Sequence, residues 1–238
     1  LRASYGQVGN ANLGGRRFAY LSTITDDYET LNMYKWGLDS SYGLTGMAEG
    51  EFAVQDLTWE IVNKMNLGVE LGFLNGMIDL QLDYFDERRK DIFMPRESVP
   101  MTAGFMKQPW KNFGKVTNQG VEVSLNVNKQ FGKDLFVSLM GTFTYAHNEI
   151  TEKDEPSAVV GTNRAETGHP VGQLTGYIAE GLFTADDFED VSTGKLKEGI
   201  PTQSFVGKLR PGDIRYRDVN GDGKVDVFDK SPIGGTKD

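Results

Sequence analysis

The most regular pattern in the sequence is a strict alternation of apolar and polar positions on both sides of an Asn-Gly pair. Residues 65–73 alternate in this way, and the alternation resumes over residues 78–85. Successive side chains of a strand point to opposite faces, so both predicted strands have one apolar face. Asn75-Gly76 supplies the positive-φ residues that a type I′ turn needs. We therefore predict a hairpin over residues 65–85, with Val69 opposite Leu82, Leu71 opposite Leu80 and Leu74 opposite Met77.

A second hairpin is predicted over residues 121–147. Its first strand alternates from Val121 to Val127, and the apolar row continues from Leu135 after the short segment 132–134. Keeping all apolar residues on one face requires an odd loop length, which fits a three-residue loop containing a glycine. The resulting register sets Val123 opposite Phe143.

The lengths of the strands and connections favour a membrane protein. The apolar rows 65–73 and 121–131 match the ~9–11 residues that a tilted strand needs to cross a bilayer. Tight turns at one end alternate with long connections, predicted at 86–115 and over 148–238, at the other. This arrangement is typical of an outer-membrane β-barrel. A soluble β-sandwich also alternates, although its strands usually have about 5–6 residues, and it remains an alternative.

Composition narrows the function classes. The net charge of -9 argues against nucleic acid as a partner. The chain has no cysteine, which excludes disulfides and thiolate metal sites. No apolar run reaches the ~18 residues of a transmembrane helix. Because the chain opens at Leu1 within a strand-like pattern, we expect a fragment of a longer protein.

The sharpest chemical motif is the acidic segment 218–229. Its oxygen-bearing residues stand at positions 1, 3, 5, 9 and 12 of a calcium loop, with a glycine at position 6. Position 12 is an aspartate instead of the usual glutamate. The alternative is an acidic loop stabilised by Asx turns without metal. We predict a structural Ca²⁺ site, with Mg²⁺ as the second choice, whose ligands are Asp218, Asn220, Asp222, the carbonyl of Lys224, Asp226 and Asp229.

Other candidate chemistry is weak. His147 and His169 stand outside any zinc motif, and nucleotide-binding and serine-hydrolase motifs do not occur in a suitable context. Glu70, Asp79 and Asp83 on the polar strand face could form a glycosidase pair, but a wet barrel interior explains them equally well. We therefore predict that the protein is not an enzyme.

Several segments in series resemble the SusC/RagA family of TonB-linked outer-membrane transporters for glycans or peptides. They are LRASYGQVGN at 1–10, residues 57–93, NQGVE at 118–122, GHPVGQLTGYIAEGLF at 168–183 and residues 211–229. The resemblance implies an all-β fold: antiparallel hairpins that form part of a large transmembrane β-barrel with long extracellular loops. It further implies that residues 1–238 are a partial barrel located in the outer membrane of a Gram-negative bacterium.

The resemblance also implies function and partners. The expected activity is TonB-dependent import of an oligosaccharide or peptide, without bond making or breaking. The expected partners are a SusD-like surface lipoprotein, outer-membrane lipid, and TonB through parts absent from this chain. Loops 86–115 and 148–210 are candidates for contact with the lipoprotein and the substrate. The alternative from the residues alone is a secreted β-sandwich carbohydrate-binding module with a calcium loop; a glycoside hydrolase ranks third.

Overall fold

A five-stranded antiparallel sheet dominates the computed structural model, which describes residues 1–25, 34–36, 38, 42–44, 47–103, 105 and 107–234. The strands lie in chain order and each pairs with the next. Tight turns join the second to the third strand and the fourth to the fifth. The strands are β1 (Arg2–Asn10), β2 (Glu60–Phe73), β3 (Ile78–Pro95), β4 (Trp110–Phe131) and β5 (Leu135–Glu152).

The predicted register of both hairpins is confirmed. Val69 pairs with Leu82, and Val123 pairs with Phe143. The three-residue loop 132–134 is also present, with Gly132 at a φ of 66°. Alternation fixes the register because a slip of one residue would turn every apolar side chain to the polar face.

The first turn has the two predicted loop residues, Asn75 and Gly76. Phe73 and Ile78 are the last ladder pair, and across the loop the Met77 amide donates to the Leu74 carbonyl at 3.3 Å. Asn75 and Gly76 have the predicted positive φ values, 57° and 81°, but Leu74 also has a φ of 53°. A left-handed conformation is costly for a residue with a branched side chain. The pairing register beyond the turn is unchanged.

The connection between β3 and β4 is shorter than predicted. The prediction of a loop over residues 86–115 was wrong, because β3 continues to Pro95 and β4 begins at Trp110. Alternation of apolar residues stops near residue 86, but the backbone ladder continues without it. A register shift between Arg89 and Ile92 accommodates Asp91, which has a φ of 58°. A bulge of this kind lets a strand continue through a local irregularity.

Two pairs of shorter strands lie in the chain segment between β1 and β2. Ile24–Thr25 pairs with Ala48–Glu49, and Tyr34–Trp36 pairs with Tyr42–Leu44. A 3₁₀ turn at Met101–Ala103 lies in the connection between β3 and β4. In the part of the chain that the structure describes, no helix is long and apolar enough to span a membrane.

The chain divides into two units, Leu1–Pro156 and Ser157–Lys237. The second unit has a small core of Phe183, Phe188 and Leu209, with Leu196, Ile200 and Val206 packed against it. The sequence indicated a long loop region over 148–238; residues 148–152 instead complete β5, and residues 235–238 lie outside the described part. The paired strands of this unit are Thr175–Gly176 with Ser231–Pro232, Ala179–Leu182 with Ile214–Tyr216, Phe188–Asp190 with Lys195–Leu196, and, in parallel, Thr202–Gln203 with Lys224–Val225.

Candidate functional site

The sheet has one continuous apolar face across β2 to β5. Directly opposed residues share a face, so the row Val69, Leu82, Val123 and Phe143 lies on one side of the sheet. Most large side chains of this face remain exposed, for example Leu71 at 40% and Phe143 at 62%. An exposed apolar face of this extent requires an apolar environment. It also argues against a β-sandwich, in which a second sheet would cover these side chains.

The apolar face ends at a row that contains tyrosines. Tyr84 and Tyr145 both pair with Val121, and Tyr5 lies one row further toward the loop end. Beyond them the same face becomes polar, with Arg88 opposite both Asn63 and Thr117. Tyrosine combines an apolar ring with a polar hydroxyl and is favoured at membrane–water boundaries. The arrangement defines an apolar band that reaches from the tight turns to the tyrosine row.

The opposite face carries a polar network centred on Asp83, which is 4% exposed. Arg2 donates from Nε and Nη2 to its two carboxylate oxygens at 3.1 and 2.5 Å. Gln81 Nε2 donates to Oδ2 at 2.8 Å, and Arg2 Nη1 donates to Glu70 at 3.2 Å. Arg2 donates to both carboxylate oxygens, so Asp83 has a structural role as the centre of this network. That role agrees better with the predicted wet barrel interior than with membership of a glycosidase pair.

A glycine makes this network possible. Arg2 is opposite Gly68, which is opposite Asp83, so the arginine reaches across the glycine to the aspartate. A Cβ atom on Gly68 would lie 2.7 Å from Arg2 Cγ and would also clash with the Asp83 carboxylate. Sequence reasoning missed this contact because Arg2 and Asp83 lie 81 residues apart. The period-two pattern shows which face each residue occupies, but not which strands are neighbours.

The loops at the other end of the first unit are joined by Glu51. Its carboxylate accepts from Arg16 and from Lys107 Nζ, the latter at 2.9 Å. The guanidinium of Arg16 also lies 4.2 Å from the centre of the Trp110 ring. The hydrogen bond from Lys107 lowers the pKa of Glu51, and the Arg16 guanidinium lowers it further. Burial acts in the opposite direction but is outweighed. No sequence pattern pointed to this cluster, since its members come from three separate segments.

A second anchor fixes the loop between β3 and β4. Asp154, 6% exposed, accepts hydrogen bonds from Ser98 Oγ at 2.8 Å and from the Ser98 amide at 3.0 Å. It also forms an ion pair with Arg96, whose Nε lies 3.1 Å from Oδ2. Burial would raise the pKa of Asp154, but the bonds from Ser98 and Arg96 outweigh burial and lower it. The loop is therefore tied to the residues that follow β5.

The predicted metal ligands lie together in one tight loop of the second unit. Each of the five predicted ligand side chains accepts at least one hydrogen bond from a backbone N–H within the loop. Asp218 accepts from Gly221 and Gly223 at 2.7 and 2.8 Å. The other bonds run from Asp222 N to Asn220, Lys224 N to Asp222, and Phe228 N to Asp226.

Asp229 closes this loop. It is fully buried, and it accepts from Val219 at 2.8 Å at one end of the loop and from Asp226 at 2.7 Å at the other. Burial and the charges of Asp226 and Asp229 raise the pKa of Tyr177. The loop thus contains a dense set of carboxylates whose charges act on a neighbouring side chain.

The carboxylate and amide oxygens of this loop are the ligand type that a hard cation prefers. Among the described residues no three His, Cys, Asp or Glu side chains converge closely enough to hold a metal ion, and this includes His147 and His169. The carbonyls of Gly223 and Val225 accept bonds from Thr202 and Ser204, which leaves the Lys224 carbonyl out of that ladder. Carboxylates keep further lone pairs when they accept one N–H bond. The calcium site stays a prediction.

Comparison with known proteins identifies relatives of this architecture. The family model described as TonB dependent receptor-like, beta-barrel matches residues 1–231. The TonB-dependent receptor SusC of Bacteroides thetaiotaomicron is 28% identical over 244 residues, which cover 97% of this chain and 21% of SusC. TonB-dependent receptor P39 of Formosa agariphila is 26% identical over 259 residues, which cover 98% of this chain and 24% of P39. The chain thus spans less than a quarter of these relatives.

Solved structures show the same fold. The RagAB peptide importer in its open-open state aligns with a TM-score of 0.60 and 22% identity, over 97% of this chain and 22% of the importer chain. Its closed-closed state aligns with a TM-score of 0.59 and 20% identity, over 97% and 22% of the two chains. The five-stranded sheet is therefore a segment of a larger barrel that does not close within this chain.

Proposed function

Because the chain belongs to the TonB dependent receptor-like β-barrel family, we propose that it forms part of the wall and outer loops of an importer. Membership confirms the family resemblance, the all-β barrel fold and the outer-membrane location predicted from sequence. The proposed activity is uptake of a nutrient across the outer membrane of a Gram-negative bacterium. No chemical bond of the substrate is made or broken.

The observation that carries this proposal is the two-faced sheet. Four adjacent strands present apolar side chains on one face, and β1 to β3 carry the Arg2–Asp83 network on the other. A sheet with lipid on one side and water on the other needs this division. Tight turns at one end and longer connections at the other are also typical of barrels in this membrane.

We propose an oligosaccharide or a peptide as the substrate class. Both are compatible with a polar inner face of amides, hydroxyls and carboxylates, which can bond hydroxyl groups or peptide groups alike. The proposed partners are a SusD-like surface lipoprotein at the loop end and TonB through parts of the protein outside this chain. The proposed contact regions are residues 153–210 and residues 96–109, the part of the predicted loop 86–115 that lies between the strands.

Uptake by intact cells tests the importer directly. Cells that carry the full-length receptor should accumulate a labelled oligosaccharide or peptide, and cells that lack the receptor or TonB should not. Equal accumulation in all three strains would contradict the proposal. Both substrate classes should be offered separately, because the result then names the class.

A second proposal concerns the acidic loop 218–229. Four carboxylates within twelve residues repel one another, and a divalent cation would relieve that repulsion. We propose that Ca²⁺ binds here and rigidifies the loop, with the six predicted ligands Asp218, Asn220, Asp222, the carbonyl of Lys224, Asp226 and Asp229. Calorimetry on the full-length receptor should detect binding heat and a higher melting temperature with Ca²⁺, and Asp222→Ala should abolish both. If Ca²⁺ changes neither quantity in the wild type, the loop is an Asx-turn structure without metal.

A further inference from the structure

A cavity of about 330 Å³ lies among the loops that precede β2 in the first unit. Its walls combine apolar side chains with the polar residues Ser22, Thr23 and Glu51, and the Glu51 carboxylate is paired with Arg16 and Lys107. Val54 in the lining is only 6% exposed. Ligand pockets typically have about 300–1,000 Å³, apolar walls and a few polar groups. This cavity is at the small end of that range, so it fits one side chain or one ring. The large apolar residues of the lining are Phe18, Leu21, Phe52 and Val54, and its cationic residues are Arg16 and Arg17.

Phe18 in this lining has an unusual conformation. Its φ is 57°, in the left-handed region that favours glycine, yet its side chain is 64% exposed. A left-handed conformation is costly for a bulky residue. The ring packs edge-on against Tyr20, with 6.2 Å between the ring centres, but most of its surface stays exposed, so packing within the chain offsets little of that cost. Strain of this kind is concentrated at functional sites, where the surrounding structure holds a side chain ready for a ligand.

The backbone around Phe18 is held in place. The Leu21 amide donates to the Phe18 carbonyl at 2.9 Å, and the Val54 amide donates to the Ala19 carbonyl at 2.9 Å. The second bond ties the segment that carries Phe18 to the one that carries Glu51. The cavity therefore has a preformed wall, which lowers the cost of ordering a ligand against it.

The two arginines of the lining have different roles. Arg16 is committed, because Glu51 accepts from its guanidinium and the Trp110 ring packs against it. Arg17 is exposed and forms no ion pair with any residue that the structure describes. A free guanidinium binds a carboxylate through two parallel hydrogen bonds. The cavity thus combines an apolar wall with one available cationic group.

We propose that this cavity is a subsite for the carboxy-terminal residue of a peptide with an apolar or aromatic side chain. The side chain would pack against Phe18, Leu21 and Phe52, and Arg17 would bind the terminal carboxylate. A neutral sugar would leave the Arg17 guanidinium without an anionic partner, whereas a terminal carboxylate supplies one. This inference rests on the proposed importer and narrows its substrate class to peptides.

The test uses the full-length receptor in detergent and the tripeptide Ala-Ala-Phe. Its carboxy-terminal amide and maltohexaose serve as comparison probes. Phe18→Gly removes the ring and permits the positive φ, so the variant should keep or raise the melting temperature. Leu74→Gly is the matched control, because Leu74 also has a positive φ and is 66% exposed, but it lies at the opposite end of the sheet.

We expect Phe18→Gly to weaken tripeptide binding about tenfold and Leu74→Gly to leave it unchanged. Arg17→Gln should abolish the preference for the acid over the amide. Absence of tripeptide binding to the wild type, or equal binding to Phe18→Gly, overturns the subsite. If Phe18→Gly weakens maltohexaose binding instead, the ligand class is wrong. Cell uptake of the tripeptide tests the importer separately: binding through Phe18 without uptake keeps the subsite and refutes the importer.

Discussion

A charge on the apolar face should impair insertion far more than the same charge on the neighbouring residue. Leu71 lies on that face, opposite Leu80, whereas Glu70 lies on the polar face opposite Gln81. Leu71→Arg should therefore place a guanidinium in lipid, and Glu70→Arg should place one in the water-filled interior. The two positions are adjacent in sequence, so chain context is almost the same.

The expected magnitude follows from the depth of Leu71 in the apolar band. Nine residues, 65–73, rise about 31 Å along the strand and, at a tilt of about 45°, cover about 22 Å of the membrane normal. The band is centred on Val69, which puts Leu71 only about 5 Å from the middle. Arginine near the bilayer midplane costs about 2–4 kcal/mol. That corresponds to a factor of roughly 30 to 900 in the folding equilibrium.

Folding of the full-length receptor into lipid vesicles measures this difference. The folded fraction is read from the heat-dependent shift in gel mobility during a urea titration. We expect a clear loss of stability for Leu71→Arg and a much smaller change for Glu70→Arg, which replaces an exposed ion pair with Arg2 by a solvated pair of like charges. Equal folded fractions for the two variants would refute the assignment of the lipid face.

Three further predictions concern the polar network, the loop anchor and the second core. Gly68→Ala should displace Arg2 and lower the melting temperature more than Gly72→Ala, whose added Cβ would be an ordinary 3.4 Å from its nearest neighbour; equal shifts would contradict this. The stabilising effect of Asp154, whose folded pKa is lowered, should be complete above about pH 4 and lost as pH falls through that lower value. Amide exchange in residues 96–98 should show this loss, and Asp154→Asn should remove the pH dependence. Phe183→Ala, at a side chain 2% exposed, should destabilise the second unit by about 3–5 kcal/mol in denaturant titrations.

The hairpins were predictable because one face of each strand is uniformly apolar. Val69 opposite Leu82 follows from alternation and a turn of known geometry, and no other register keeps the apolar set together. The continuation of β3 to Pro95 could not be found in this way. Beyond the band, water contacts both faces and apolar alternation is no longer required, while the backbone ladder alone maintains the strand.

The candidate sites also differ in whether their residues are neighbours in sequence or are brought together by the fold. The acidic loop 218–229 could be singled out because its oxygen-bearing residues are close in sequence, at the spacing of a calcium loop, and the binding of Ca²⁺ there stays a prediction. The Arg2–Asp83 contact and the Glu51 cluster depend on segments brought together by the fold. The strain at Phe18 was also hidden, because nothing in its neighbours requires a positive φ there. Such features depend on tertiary context, which a single sequence does not display.

The central claim is that this sheet separates lipid from a polar interior, and a spin-label scan along β3 tests it most directly. Single cysteines at positions 79 to 82 of the full-length receptor, in a background without other cysteines, would carry the label in lipid vesicles. At positions 80 and 82 we expect collisions with oxygen to exceed those with a water-soluble nickel complex. At positions 79 and 81 we expect the reverse. Equal accessibility at all four positions, or the opposite phase, would contradict the account.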